Sequence, residues 1–370
     1  MNKDRDMNIV VLPGDGAGPE VSAEAVKCLE LLSDHCGLDL RFETLDFGGA
    51  AIDTAGSPLP DSTLAACKGA DAVLMGAVGG PRWDGRPEMP EAGLLKLRRA
   101  LGLFANLRPA RVIPGLEALS PLRADVAEGA DVLVVRELTG GVYFGERTFS
   151  EEAASDLCVY SRAEIERIAH VAFQAARRRG RKVTSVDKAN VMATSKLWRR
   201  TVVEVAEQYP GVALDHMYVD AAAMALVTNP RRFDVILTEN MFGDILSDEL
   251  SVIGGSIGLL GSASVGETGP GLFEPIHGSA IDIAGLDIAN PSGAIASAAM
   301  MLEHLGLADM GHILGEALRK TLLAGCRTAD LGGSARCSEF GETVREYLRR
   351  RLVHYDVHLE LVTMNRGCCA

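Results

Sequence analysis

Asp244 and Asp248 stand one helical turn apart in the stretch FGDILSD, a spacing that puts both carboxylates on one face of a helix. Such a pair costs an exposed helix only about 0.2–0.5 kcal/mol, so it decides little alone. The plainer alternative is that Asp244 caps the helix and Asp248 is solvated. A third carboxylate, Asp220 in YVDAAAM, completes an oxygen-only set that suits Mg²⁺ or Mn²⁺ better than zinc. Lys188, in SVDKANV, falls at the end of a strand-like run, where burial or a nearby cation loosens its proton and makes it a usable base. Its alternative is a surface lysine paired to an acid. Tyr143, in TGGVYFG, follows two glycines that would let the backbone approach a ligand closely; otherwise it is a packed aromatic. Arg98, Arg108 and Arg136 lie at or near element ends, and an arginine fork grips a carboxylate with two parallel bonds. The set describes an enzyme that holds a divalent cation and a small diacid.

These groups must be carried by an α/β scaffold, because strand-like and helix-like runs alternate almost throughout. NIVVLP reads as a first strand, and after the glycine-rich turn Pro19 opens a helix with Val21, Ala25, Leu29 and Leu32 on one face. Residues 70–78 and 130–138 are continuous apolar runs, as central strands are. Ser161 and Glu164 form a capping-box signature for a helix running to about Arg179. KVTSVD, VALDHMYVD and FDVILTEN read as further strands, each followed by a helix. Residues 254–278 read as a long functional loop, and the chain beyond Pro291 as mostly helical. Any second domain is expected as an insertion in the middle.

Composition narrows the partners. A net charge of −13 argues against nucleic acid and anionic membranes. The basic run from Arg177 to Lys182 reads as a helix end with Gly180 as a left-handed cap. The eight cysteines lack zinc-site spacing and suit reduced thiols in a cytoplasm, with Cys368 and Cys369 on a mobile tail. The first residues, MNKDRDMN, lack the apolar core of a signal peptide, and no apolar run approaches the roughly 18 residues that span a bilayer. Three motif matches fail on context. Gly14 to Gly18 is one residue short of the dinucleotide fingerprint, Gly254 to Gly258 follows a helix instead of a strand, and Ser185 to Lys188 lies on a strand-like run.

Taken in order, LPGDGAGPE, FGGAAID, GAVGGPRWDG, LFANLRPA, VRELTGGVYFGE, SVDKANV, FGDILSD, FEPIHGSA, DIAGLDIANPSGAI and DLGGSA resemble the isocitrate/isopropylmalate family of β-decarboxylating dehydrogenases, over roughly residues 8 to 345. The resemblance implies an α/β, two-domain fold with a central mixed, largely parallel sheet, distinct from the Rossmann fold. Residues 1–103 and 256–370 would form the cofactor domain, and 104–255 the inserted one. It implies NAD, held by Glu274, His277, Gly278, Ser279, Ala280, Asp282 and Ile283 with Asn290 near the adenine, since Asp282 would repel a 2′-phosphate. It implies Mg²⁺ or Mn²⁺ at Asp220, Asp244 and Asp248, and a homodimer with shared sites in which Lys188 and Asp220 come from the second subunit. Asp220, Arg98, Arg108 and Arg136 would bind a 2-hydroxy diacid. Lys188 would take its hydroxyl proton, and Tyr143 would protonate the carbon that loses CO₂. Glu91, Leu94 and Leu95 would read the substituent, and the two leucines suit an isopropyl group.

Departures are Ile281, where the family usually has proline, the segment 265–271, and the tail beyond about Arg351. Pocket contacts discriminate a methylene by only about 1–3 kcal/mol, so another 3-alkylmalate, homoisocitrate, tartrate or malate stays open as substrate. A non-catalytic subunit would have lost part of the set, and a phosphoryl-transfer enzyme would need a phosphate-cradling loop.

Overall fold

The structure, a computed structural model, describes residues 6–367, with side chains through Val353; Cys368 and Cys369 lie outside the described residues. Among the described residues, twelve strands follow in chain order: β1 (Met7–Gly14), β2 (Leu40–Thr44), β3 (Ala72–Ala77), β4 (Ala105–Arg111), β5 (Asp131–Glu137), β6 (Arg147–Phe149), β7 (Ala154–Asp156), β8 (Lys182–Asp187), β9 (Ala213–Tyr218), β10 (Val235–Thr238), β11 (Gly261–Val265) and β12 (Gly271–Pro275). Pairing is mixed and largely parallel. β1 pairs in parallel with β2 and β3, β10 with β5 and β8, and β8 with β9, while β4 runs antiparallel to β5 and β11. The chain divides into two compact units, Met1–Leu95 with Phe273–Ala370, and Lys96–Leu272.

In the first unit, β3 is buried at every residue, as its unbroken apolar run requires of a strand covered on both faces. The helix Gly18–Cys36 turns Val21, Ala25, Leu29 and Leu32 inward and packs with the helices Ser292–His304 and Cys337–Gly367. The glycine-rich turn before it sends a carboxylate to two other segments. Asp15 accepts the amide hydrogens of Gly49 and Ala50, each at 2.8 Å, and of Gly79 at 2.9 Å. Its carboxylate therefore occupies the anion position at the start of the helix Gly49–Ala55. Gly14 is obligatory here: at φ 72° a Cβ would fall 1.9 Å from the Ala77 carbonyl oxygen.

In the second unit, Ile165, Ile168, Phe173, Trp198, Val202, Val235 and Leu237 share one core. The helix Arg162–Arg177 has the reciprocal Ser161–Glu164 capping box. Its far end differs from expectation. The left-handed residue is Arg181 (φ 59°), not Gly180, and Arg179 is drawn to Asp234 at 3.1 Å and to the Asp131 carboxylate at 2.5 Å. Residues 254–278 do not form one long loop, because β11 and β12 are strands within them and almost entirely buried. Their small residues allow close packing, as where Asn106 Nδ2 donates to buried Ser264 Oγ at 3.0 Å. No helix among the described residues is long and apolar enough to cross a membrane.

Candidate active site

Four neighbouring strands of the second unit, β5, β10, β8 and β9, run parallel and so end at one edge, the place where open α/β sheets gather ligands. Arg136 is the penultimate residue of β5, and Lys188 follows β8 directly. Asp220 opens the helix Val219–Thr228 after β9, and Asp244 and Asp248 ride the helix Asn240–Ile253 after β10. That last helix is capped by Glu239, whose side chain accepts the Phe242 N–H, so Asp244 is left to project from its interior.

Arg136 organises the first group. Its side chain is 5% exposed, and it donates from Nε at 3.0 Å and from Nη2 at 2.8 Å to Asn240 Oδ1. Its Nη1 reaches Asp244 Oδ1, and the Tyr143 hydroxyl donates to Asp244 Oδ2 at 3.1 Å. Arg108 Nη1 donates to Ser247 Oγ at 2.8 Å and to Asp248 Oδ1 at 3.3 Å, and its Nε donates to Asn106 Oδ1 at 2.7 Å. Burial, reinforced by Arg108, pushes the Arg136 guanidinium down to about 10. Burial and the Asp244 charge raise the Tyr143 phenol, which keeps it a proton donor. Burial raises the Asp248 carboxyl, Arg108 opposes it and Asp244 adds to it. Arg98 lies half-buried on the helix Pro90–Ala100.

The two glycines before Tyr143 are packed against Tyr160. A Cβ on Gly140 would fall 2.5 Å from the Tyr160 ring, and one on Gly141 2.7 Å from the Tyr160 oxygen. The sequence reading missed Asn240, Ser247 and Asn106, which aim the arginines. Asn240 and Asn106 are polar residues at element starts, the signal that could have found them; Ser247 lies in the helix interior one residue before Asp248.

Lys188 and Asp220 form a second group, with Lys188 Nζ donating to Asp220 Oδ1 at 2.5 Å. The hydrogen bond from Lys188 holds the Asp220 carboxyl below its usual range. Among the described residues, no three His, Cys, Asp or Glu side chains of one chain converge as a cation site. The donor set still fits a hard cation: it is all carboxylate oxygen, and the Asp248 side chain is 59% exposed.

In the first unit, Glu274 is buried at the end of β12. His277 Nδ1 lies 2.9 Å from the Gly278 carbonyl, and burial lowers the imidazole, so the ring is neutral. Gly278 is exposed, Ser279 half-buried, and the Ser279 carbonyl accepts the Ala17 N–H at 2.7 Å. Ala280 is left-handed (φ 44°) and leads into a single turn, Ile281–Ile283, with Asp282 exposed. Asn290 is committed: its Nδ2 donates to Asp330 at 2.9 Å and its Oδ1 accepts the Ser292 N–H at 3.0 Å. The loop is further tied down by Glu20, which accepts the amides of Gly285 and Asp287. On the helix Pro90–Ala100, Glu91 and Leu95 are exposed and Leu94 is half-buried.

The model of the isocitrate/isopropylmalate dehydrogenase family matches residues 8–344. The 3-isopropylmalate dehydrogenase of Listeria innocua is 53% identical over 338 residues, covering 91% of this chain and 97% of that protein. The crystal structure of isocitrate dehydrogenase from Methylococcus capsulatus superposes with a TM-score of 0.83 at 37% identity, covering 93% of this chain and 99% of that one. A β-decarboxylating dehydrogenase from Thermococcus kodakarensis gives 0.79 at 39% identity, with 93% and 96% covered. The chain therefore belongs to the isocitrate/isopropylmalate dehydrogenase family.

Proposed function

We infer that the chain catalyses the NAD-dependent oxidative decarboxylation of 3-isopropylmalate to 4-methyl-2-oxopentanoate, a step of leucine biosynthesis, as a cytoplasmic homodimer. The observation that carries the chemistry is the Tyr143 hydroxyl held on Asp244 beside the Arg136 and Arg108 guanidinium groups. It joins a proton donor, a carboxylate and two anion-binding cations in one cluster. The name of the Listeria relative supports the choice of substrate.

When bound, NAD would supply a hydride acceptor and a divalent cation would supply positive charge beside the departing carboxylate. Asp244 and Asp248, with Asp220 contributed by the second copy, would hold that cation. The residues do the rest. Arg98, Arg108 and Arg136 hold the two carboxylates and fix the diacid's orientation. Lys188 Nζ removes the 2-hydroxyl proton, and Asp220 holds that amine in place. The Tyr143 hydroxyl donates a proton to the carbon that lost CO₂. Leu94 and Leu95 offer apolar surface to the substituent. Exposed Asp282, followed by Ile283, suits the ribose hydroxyls of NAD and would repel a 2′-phosphate; Glu274, His277 and the 278–280 backbone complete the loop.

The test follows reduced nicotinamide by its absorbance, with NAD and Mg²⁺ and with 3-isopropylmalate, isocitrate, malate or tartrate. Turnover with 3-isopropylmalate that stops on chelation and returns with Mg²⁺ or Mn²⁺ is expected. Turnover only with another diacid would keep the mechanism and change the substrate, and silence with every diacid would sink both.

A further inference from the structure

The peptide that carries Lys188 is held by one face of a neighbouring helix. Ser195 and Arg199 stand a turn apart on the helix Ala193–Ala206, and both reach the end of β8. Ser195 Oγ accepts the Lys188 N–H at 3.1 Å. Arg199 donates from Nε and Nη2, each at 2.9 Å, to the two oxygens of Asp187, whose side chain is 1% exposed. That same carboxylate accepts the Ala189 N–H at 2.9 Å, so both neighbours of Lys188 in sequence are tied to it. The guanidinium also lies over the Tyr218 ring, 5.1 Å from its centroid. Tyr218 is the register partner of Asp187 on β9 and the residue from which the Asp220 helix starts.

A planar guanidinium can hold a carboxylate by its edge and a ring by its face, which an ammonium cannot. We propose that Arg199 is a positioning residue for the Lys188–Asp220 pair: gripping Asp187 edge-on and Tyr218 face-on, it fixes the strand end bearing Lys188 against the helix start bearing Asp220. The role rests on Lys188 being the base, and Arg199 acts entirely through its neighbours. A bland competitor is that Arg199 merely neutralises a buried aspartate.

The whole protein is compared with Arg199→Met, Arg199→Lys and the double variant Arg199→Met with Asp187→Asn. Thermal unfolding, kcat, KM and the rate at which acetic anhydride labels Lys188 (read by peptide mass spectrometry) are measured for each. A misplacement of about 1 Å lowers rates on the order of 10²-fold, so Arg199→Met should lose kcat on that scale with KM little changed, and Lys188 should label faster. The double variant removes the stranded charge and should recover thermal stability while kcat stays low, and Arg199→Lys should keep the charge without restoring kcat. Recovery of kcat in either of these variants would overturn the proposal, because neutralisation alone would then suffice. Unchanged labelling of Lys188 in Arg199→Met would also overturn it, even in a protein without turnover. A wild-type chain silent on every diacid, with Lys188 still freed by the substitution, would instead sink the catalytic reading and leave the clamp standing.

Discussion

Arg136 shows how a single buried side chain can be both anchored and available. Two of its nitrogens are fixed on Asn240 Oδ1 while the third faces Asp244, so its direction is set before any ligand arrives. Arg136→Lys keeps a charge but cannot reproduce the fork. An unmet buried acceptor costs roughly 1–3 kcal/mol, and KM for the diacid should rise by on the order of tenfold; steady-state kinetics with an unchanged KM would refute this. Tyr143→Phe removes the hydroxyl on Asp244 and leaves the ring. It should lower kcat far more than it changes substrate affinity, and a large loss of affinity with kcat intact would rule out the proton-donor role. At this scale the sequence revealed which residue types carry the chemistry. It could not reveal their partners: Asn240 and Arg199 become meaningful only once β5, β8, β9 and β10 end side by side.

The elements were legible where burial matched composition. β3 and the apolar centre of β5 are buried on both faces, and the Ser161 capping box opens its helix as its residues require. β11 and β12 escaped notice because GSASV and GLFEP carry the glycine and serine that usually mark loops. There, close packing against neighbouring strands outweighs local propensity. At the basic run, the pull of Asp131 and Asp234 on Arg179 accompanies a left-handed Arg181, a long-range effect that no local pattern encodes. Ser161→Ala should cost about 1 kcal/mol through loss of the cap, seen as a lower urea midpoint at unchanged slope. An unaltered midpoint would mean that Glu164 alone suffices.

For the whole molecule, His216, His277 and His304 share a cause: burial lowers each below its ordinary 6.5. Each stays neutral in the folded protein at a pH where the unfolded chain is already protonated. The unfolded state then binds more protons, so their contribution is intact above about 6.5 and is lost as pH falls from there toward the folded values. The urea midpoint should drop through that window, and His216→Gln should flatten part of the slope; a midpoint that stays level would refute it. The turn at Asp15 has a different consequence. A carboxylate fixed by its own backbone on three amide hydrogens competes at an effective concentration that a dissolved phosphate does not reach. The turn that most resembles a nucleotide cradle instead hands its carboxylate to the amides of Gly49, Ala50 and Gly79, so the anion position at the start of the helix Gly49–Ala55 is closed by intramolecular competition.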